Sequence, residues 1–357
     1  MKVRNAIAGF GLAMVATVGG MATAQPAAAA TAPGAFGPAA VVLNCIPGGA
    51  DASIAADGAV RGFATCNGGV GEGPISYFGY RSGTAVYRQS TPWKGQVLAA
   101  AWDGVGATYV VFSDNGILQI GKRLENATFS PTTVLAVDVD DHTTADLVAS
   151  HGKWWTVWSR HSGSDPTGPL SLFQAHTLLG TQLGGKITNP PAQGADSQPA
   201  LTWNGSVLYL IWTRTANAAG AASDIWWASS TGGAWASAPF ATVGTRNSAP
   251  SAVDAAGSVR VTWVRDGRIM YASRGTTYVT HSFASTGSHP EVGYSAGKIF
   301  LGWQHNNGLL FVQSSGSAWT SAVVAGFPGV PRKVMGQGGK ARVLYLEDER
   351  LTIDKQS

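Results

Sequence analysis

Charged residues are scarce in this 357-residue chain: Asp, Glu, Lys and Arg make up 12% of it, about half of the usual ~25%. The basic residues are scattered, and without Lys2 and Arg4, which belong to the leader described below, 22 of them face 20 acidic residues. Nucleic acid recognition needs a basic stripe or patch. We therefore expect no nucleic acid partner, and a net charge this small bears on solubility rather than on binding.

Long apolar runs are missing after residues 1–30. A membrane helix needs about 20 consecutive apolar residues, so we expect no membrane partner. The leader itself has a basic start, an uncharged apolar run over residues 6–18 and small residues at 22–24, which is typical of a signal peptide cleaved before Gln25. A second small-residue site at 28–30 is the alternative. The sequence predicts a secreted, extracellular protein.

Cysteine is also rare, with Cys45 and Cys66 as the only two in the chain. In an exported protein, such a pair favours one disulfide. Closing a loop of about 20 residues would stabilise the fold by roughly 3 kcal/mol. A buried pair of free thiols is the alternative.

Glycine and tryptophan, in contrast, are abundant at 47 and 13 residues. An aromatic residue recurs at intervals of 40 to 54 residues, and the residue two positions later (the plus-two residue) is nearly always polar or charged. A repeat of this length over most of a chain is typical of a repeat architecture. The aromatics are Phe63, Phe112, Trp158, Trp212, Trp263, Trp303 and Tyr345, and their plus-two residues are Thr65, Asp114, Arg160, Arg214, Arg265, His305 and Glu347.

Each repeat begins with a small residue or proline, passes through two strands around a glycine-containing hairpin, and continues into a third and usually a fourth strand. Four antiparallel strands per ~45 residues predict an all-β fold, a β-propeller, here with seven blades. The last repeat has only three strands, so we expect residues 40–44 to add the fourth and close the ring. Six blades, with residues 45–95 as an irregular extension, are the alternative.

The domain organisation follows from these features. Residues 1–30 are predicted to be the signal peptide, residues 31–38 an Ala- and Pro-rich mobile linker, and residues 39–357 a single propeller domain. We expect a monomer.

The plus-two residues predict a ligand face. Each lies near the end of the second strand, at the face that also carries the connections between blades. Three arginines and a histidine on consecutive repeats suit a carboxylate or sulfate, since Arg binds such planar groups bidentately, and the acidic residues could serve as general acid or base. The candidate ligand-binding residues are Arg160, Arg214, Arg265, His305, Asp114, Glu347, Asp196 and His289.

A structural role is the alternative for the same residues. Residues two apart on a strand share a face, so each arginine could lie along its own aromatic and extend to the rim of its blade. Trp235 and Trp319, which precede fourth strands, could likewise present a sugar-binding face or pack between blades.

Asp138, Asp140 and Asp141 form the densest acidic stretch, and alternating oxygen ligands suit calcium. A solvated acidic connection is the alternative. The histidines lack the paired spacing of zinc ligands. Apart from this candidate calcium site, we expect no cofactor.

The repeat over residues 197–239 contains Pro199, Gly205 and Trp212, followed by Asp224-Ile225-Trp226-Trp227 and by the segment from Ser229 to Trp235. These elements resemble the repeats of sialidase-like propellers, the bacterial neuraminidase repeats, whose Asp-box S-x-D-x-G-x-x-W lies between the third and fourth strands. Here the Asp is missing and the spacing to Trp is shorter, and the F/Y-R-I-P motif of true sialidases is absent. The resemblance implies a propeller that often binds or cleaves glycans, and it assigns no catalytic residue.

The sequence therefore predicts a secreted propeller that binds a glycan or an acidic group at the face formed by the blade connections. A sialidase-like glycoside hydrolase or lyase is the first alternative. A protein-interaction platform is the second.

Overall fold

The computed structural model describes most of the chain after the leader. The described residues are 36, 40–44, 47–66, 73–81, 84–140, 143–161, 168–177, 181–191, 194–216, 222–232, 234–241, 246–274, 278–306, 308–315, 318–320, 323–324, 329–347 and 350–356.

The described residues form an all-β structure of short strands, without a helix. Among them there is accordingly no helix that could cross a lipid bilayer. Second strands such as Leu208–Thr215 combine apolar and β-branched residues with burial on both faces, which is the environment that favours strand formation.

Antiparallel pairing divides the strands into successive units, which we number in chain order. Parallel pairing links Leu170 of unit 3 with Ala195 of unit 4, and a parallel bridge joins Ser223 of unit 4 to Arg246, just before unit 5. Unit 1 is β2(Pro47–Ile54), β3(Val60–Cys66), β4(Gly73–Tyr80) and the first half of β5(Tyr87–Trp102); unit 2 is the second half of β5, β6(Ala107–Asp114), β7(Ile117–Leu124) and β8(Thr133–Ala136); unit 3 is β9(Ala145–Ser150), β10(Lys153–His161), β11(Leu170–His176) and β12(Gln182–Lys186); unit 4 is β13(Ala195–Trp203), β14(Leu208–Thr215), β15(Ser223–Ser230) and β16(Ala236–Ala241).

The chain continues through three further units. Unit 5 is β17(Asn247–Ala255), β18(Ser258–Arg265), β19(Arg268–Arg274) and β20(Tyr278–Thr286); unit 6 is β21(Ser288–Ser295), β22(Lys298–His305), β23(Gly308–Ser315) and its partners β24(Ala318–Trp319) and β25(Val323–Val324); unit 7 is β26(Val330–Gln337), β27(Lys340–Glu347), β28(Arg350–Lys355) and β1(Ala40–Asn44). Residues 47–94 form a regular antiparallel unit.

The apolar core lies between neighbouring units. The recurring aromatics are all buried, with exposures of 0–1%. One core cluster, for instance, combines Trp155 of unit 3 with Trp212 of unit 4, and another combines Phe300 of unit 6 with Tyr345 of unit 7. A further cluster joins Leu344 of unit 7 to Phe78 of unit 1, so the face-to-face packing continues from the last unit to the first.

The first strand of each unit, which we call the inner strand, contacts the inner strands of both neighbouring units. The order of contact is β2, β5, β9, β13, β17, β21 and β26, and β26 contacts β2 again. Polar side chains also connect these strands: Asp51 Oδ2 accepts a hydrogen bond from the N–H of Ala100 at 2.7 Å, and Asp146 Oδ2 accepts one from Leu201 at 2.6 Å. The inner strands therefore surround a central channel.

Strand β1 pairs antiparallel with β28, as predicted. Val42 and Leu43 are buried, and Arg88 of unit 1 donates to the carbonyl oxygens of Val42 and Val41 at 2.6 and 3.0 Å. Phe36, in the predicted mobile linker, bridges to Gln356 and packs edge-on against Phe311 with 5.0 Å between ring centroids. The linker is thus anchored at Phe36, because this aromatic ring packs against an apolar surface of unit 6. The other linker residues, 31–35 and 37–38, lie outside the described ranges.

We predict that Val42→Ala lowers the free energy of unfolding by about 2–3 kcal/mol, because it removes two buried methyl groups and leaves a cavity. The adjacent Val41 is 37% exposed and is the matched control; Val41→Ala should change the stability by less than ~0.5 kcal/mol. Urea unfolding followed by tryptophan fluorescence measures both. Equal losses of stability in the two variants would show that β1 does not contribute buried apolar surface.

Candidate functional site

The strand pairings define one face of the molecule that carries the predicted ligand residues. The beginning of each inner strand pairs with the end of the second strand, as Ala195 does with Thr215 and Asn247 with Arg265. The connections between units and the turns between second and third strands therefore lie at the same face, which we call the connection face.

Arg214 is bound within its own unit. Its Nε and Nη2 atoms donate to the two carboxylate oxygens of Asp196, both at 2.7 Å, and its guanidinium stacks 4.1 Å from the ring centroid of Trp226. Asp196 is fully buried and also accepts from the indole N–H of Trp212 at 2.9 Å. Arg214 therefore binds a carboxylate bidentately, as was predicted for a ligand, but this carboxylate belongs to Asp196 of the protein itself.

Arg265 repeats the arrangement with a neutral partner. Its Nε donates to Asn247 Oδ1 at 3.1 Å, and the indole N–H of Trp263 donates to the same oxygen at 3.1 Å. Asn247 is fully buried, and its Nδ2 donates to the carbonyl oxygen of Ser223 at 2.9 Å. Burial lowers the pKa of Arg265, while Asp266 opposes the shift. The repeat thus copies a packing arrangement from unit 4 to unit 5.

The other plus-two residues also engage neighbours in or next to their own units. Thr65 is buried and connects unit 1 to unit 2, donating to Gly95 O and accepting from Val97 N, both at 2.8 Å. His305 Nδ1 lies 2.6 Å from Thr286 O, Asp114 accepts from Asn115 at 2.9 Å, and Arg160 lies 5.9 Å from the Phe173 ring. The backbone of Glu347 pairs with that of Arg350 in the hairpin of β27 and β28. These contacts favour the structural role, and a ligand role for these residues stays a prediction.

A glycine at the position opposite His305 explains why unit 6 differs from units 4 and 5. A Cβ atom at Gly287 would collide with Cδ1 of Trp303, so no acceptor side chain fits there. The indole N–H of Trp303 accordingly has no hydrogen-bond partner among the described residues.

The predicted calcium residues are divided. Asp138 has a left-handed backbone with φ of 56°, and Asp140 Oδ2 lies 3.0 Å from His161 Nε2. Asp141 lies outside the described residues. Within the described ranges no three His, Cys, Asp or Glu side chains are grouped to hold a metal ion. A calcium site stays a prediction.

Two further sequence predictions concern cysteines and tryptophans. Cys66 ends β3, but Cys45 lies outside the described residues, so the disulfide stays a prediction. Trp235 packs edge-on against Trp155 and donates to Gln174 Oε1 at 2.8 Å, and Trp319 packs against Tyr271. Both tryptophans are half-buried between units, which favours packing between repeats over a sugar-binding face.

The central channel is a cavity of about 590 Å³ that all the inner strands line. Five charged residues of four inner strands line it, and we call them the channel cluster. They are Asp51, Asp146, Glu291, Arg332 and Lys333. Asp146, Glu291, Arg332 and Lys333 lie in the first half of their strands, on the side of the connection face, whereas Asp51 is near the middle of β2.

Lys333 is the central cation of this cluster. Its Nζ atom lies 3.5 Å from Asp51 Oδ1, and the lysine side chain is 34% exposed, toward the channel. The charge of Asp51 is the main cause that raises the pKa of Lys333; Asp146 and Glu291 add to it, and burial opposes it. The ammonium thus contacts the carboxylate of Asp51, and the charges of two further carboxyls, from units 3 and 6, also act on it.

Glu291 is a weakly acidic carboxyl in this cluster. Burial, reinforced by the charges of Asp51 and Asp146, raises its pKa to about 7, although Lys333 lowers it. Ser251 donates to its Oε2 at 3.1 Å. Burial likewise raises the pKa of Asp146, whose two oxygens accept backbone N–H groups of Leu147 and Leu201. A carboxyl that titrates near neutral pH inside a cavity is typical of a functional site.

His289, one of the predicted ligand residues, lies beside the cluster at the connection face. Its Nδ1 is 3.1 Å from Ser288 Oγ, and its backbone is left-handed with φ of 50°. Burial and then the charge of Arg332 lower its pKa, which keeps the imidazole neutral at pH 7.

The sequence contained a signal for this cluster that the plus-two pattern does not include. Each repeat opens with a small residue or proline, and the next residue is polar or charged in five of the seven repeats. These five residues are Asp51, Asp146, Ser251, Glu291 and Arg332, and the other two repeats have Ala. In an acid-poor chain, polar residues at an inner-strand position are the pattern that indicates a polar channel.

Comparison with known proteins supports the fold. No protein-family model matches this chain, and no curated protein does either. The sialidase-like family therefore stays a prediction.

Solved structures do match. A lectin called SapL1, in complex with alpha methyl fucoside, is 12% identical with a TM-score of 0.53, covering 78% of this chain and 97% of its own. The Aleuria aurantia lectin, a six-bladed β-propeller with a fucose recognition mode, is 14% identical with a TM-score of 0.51, covering 82% and 99%. YCF48 bound to D1 peptide is 10% identical with a TM-score of 0.50, covering 91% and 93%. The chain has a β-propeller fold.

Proposed function

We propose that this protein is a secreted, seven-bladed β-propeller that binds a glycan in its central channel, entering from the connection face. The single observation that carries the proposal is the channel cluster: four inner strands, from units 1, 3, 6 and 7, direct five charged side chains into one cavity of about 590 Å³. A concave site with a few convergent polar groups and a perturbed carboxyl is the arrangement expected of a ligand site.

The blade count is supported by the packing between units. Inner strands contact one another in an unbroken cycle from β2 to β26 and back to β2. The core cluster with Leu344 and Phe78 joins the last unit to the first. Seven units of this kind would each be one blade, one more than the blade count of the Aleuria aurantia lectin.

A glycan is the ligand class that fits these side chains best. Sugars present many hydroxyl groups, and carboxylates accept their hydrogen bonds while Lys and Arg donate. SapL1 and the Aleuria aurantia lectin, which share the fold, were solved with a fucoside or are described by fucose recognition. Their low identity supports the fold, and the ligand class of this protein rests on the channel.

We predict that the mature protein binds glycans on an array and that Ser251→Phe removes the signal. Ser251 Oγ contacts Glu291 in the channel, so a phenyl ring there would fill the space that a sugar needs. The expected loss is at least tenfold in apparent affinity, and Ser251→Leu is a smaller second blocking variant.

Ser206→Phe is the matched control, because Ser206 is exposed in the turn between β13 and β14, away from the connection face. It should bind like the wild type. Thermal melting of all variants verifies folding. Arg160→Ala should also bind normally; loss of binding in Arg160→Ala with full binding in Ser251→Phe and Ser251→Leu would move the site to the plus-two residues. An array without any signal contradicts the proposal.

A further inference from the structure

Arg332 stands out in the channel cluster because its guanidinium is not fully satisfied. Its Nε atom is buried and has no hydrogen-bond partner among the residues that the structure describes. Burial lowers the pKa of Arg332, and Glu291 opposes the shift. A guanidinium nevertheless keeps its charge in proteins, and a largely buried cation is costly unless it is paired. An oxyanion is the group that best satisfies such donors.

Glu291 is the carboxyl whose charge acts on Arg332. Carboxyl groups and cations of the surrounding strands face Glu291, and Gln304 of β22 lies beside His289. The groups facing it are Ser251 of β17, Asp51 of β2, Asp146 of β9, Arg332 and Lys333 of β26, and His289 of its own strand. Since His289 is neutral at pH 7, three carboxyls face two cations. Protonation of Glu291 removes one negative charge from the cluster and so lessens the repulsion that an anion meets there.

We propose that the channel binds its sugar through an oxyanion, a carboxylate or a sulfate ester, held by Arg332, and that binding takes up one proton on Glu291. This inference rests on the proposed glycan site and names its ligand class and its regulation. A protonated Glu291 removes a repulsive charge and offers a hydrogen-bond donor to the anion. The bound anion in turn favours the protonated form, so the two events are coupled by linkage.

The pH range of the coupling follows from the state of the free protein. Glu291 has a pKa of about 7 because it is buried beside two other carboxyls. Below that pH the proton is already present, and the affinity should be constant. Above it, each bound anion must bring one proton from solution, so the dissociation constant should rise about tenfold per pH unit.

Titration calorimetry between pH 6 and pH 9 tests the proposal with three probes: glucuronate, glucose 6-sulfate and the neutral methyl glucoside. We expect the anionic sugars to bind more tightly at pH 6 and to weaken about tenfold per unit above pH 7, whereas methyl glucoside shows no such change. Binding of only one anionic sugar would identify the oxyanion as carboxylate or sulfate.

Two variants and one control complete the test. Glu291→Gln mimics the protonated carboxyl, so it should bind glucuronate at pH 8.5 as the wild type does at pH 6. Arg332→Gln should weaken anion binding at least tenfold at pH 6, whereas Arg350→Gln, at the exposed first residue of β28, should not. Persistent pH dependence in Glu291→Gln, or equal affinity in Arg332→Gln, would overturn the inference.

Failure of this inference differs from failure of the proposed function. If array glycans bind and Ser251→Phe removes their binding, but neither anionic sugar binds, the channel remains the glycan site and the role of Arg332 is wrong. If no sugar binds at all, both proposals are wrong.

Discussion

Lys333→Met is expected to lower the free energy of unfolding at pH 8 by about 2–4 kcal/mol. Losing one partner of a buried ion pair costs roughly 3–5 kcal/mol, and the 34% exposure of Lys333 toward the channel reduces this somewhat. Asp51, Asp146 and Glu291 would be left without the ammonium that they share. Urea unfolding measures the change.

The loss should shrink as the pH falls. Without Lys333 the folded state binds protons on its carboxyls more readily than the unfolded state does, so lowering the pH favours folding. At pH 5 we therefore expect less than half of the loss seen at pH 8. Lys340→Met, at an exposed position, should change stability by less than ~0.5 kcal/mol at either pH. A loss that is equal at pH 5 and pH 8 would contradict a shared charge cluster.

Asp196→Ala is expected to destabilise the protein by about 3–5 kcal/mol, because it leaves a largely buried guanidinium without its carboxylate. It also removes the acceptor of the Trp212 indole N–H. The exposed pair of Asp57 and Arg81, at 3.2 Å, is the matched control. Asp57→Ala should cost less than ~1 kcal/mol, since exposed ion pairs contribute little.

Asp196→Asn provides a second comparison, because unit 5 already has an asparagine at the equivalent position. Asn247 serves Trp263 and Arg265 there through one oxygen. We expect this variant to lose about 1–2 kcal/mol, less than Asp196→Ala, because one acceptor oxygen remains. Chemical denaturation gives both values. If Asp196→Ala proved as mild as Asp57→Ala, the arginines of the plus-two series would be available for a ligand after all.

The fold was predictable because each repeat carries its own complete pattern. The recurring aromatics predict a buried position in every unit, and all are buried. The unpaired third strand of the last repeat predicts a partner from the N-terminus, and β1 pairs with β28. Such features depend on local alternation and on strand count, which the sequence displays directly.

The channel cluster was not predictable in the same way, because its members come from repeats that are far apart in sequence. Asp51 and Lys333 are at opposite ends of the domain and meet only because unit 7 packs beside unit 1. The Arg214–Asp196 pair was hidden for a different reason: the pairing of β13 with β14 had to be known before Asp196 could be placed opposite Arg214. The sequence shows arginines on one face, and their partners depend on strand register.

The most direct test of the central claim, that the channel is the ligand site, is a crystal structure of the mature protein with the strongest glycan from the array. We predict that the sugar lies within the ring of inner strands, with hydrogen bonds to Glu291 and to Arg332 or Lys333. A sugar bound instead on the plus-two residues, beside Arg160, or in a groove between two outer strands would contradict the account.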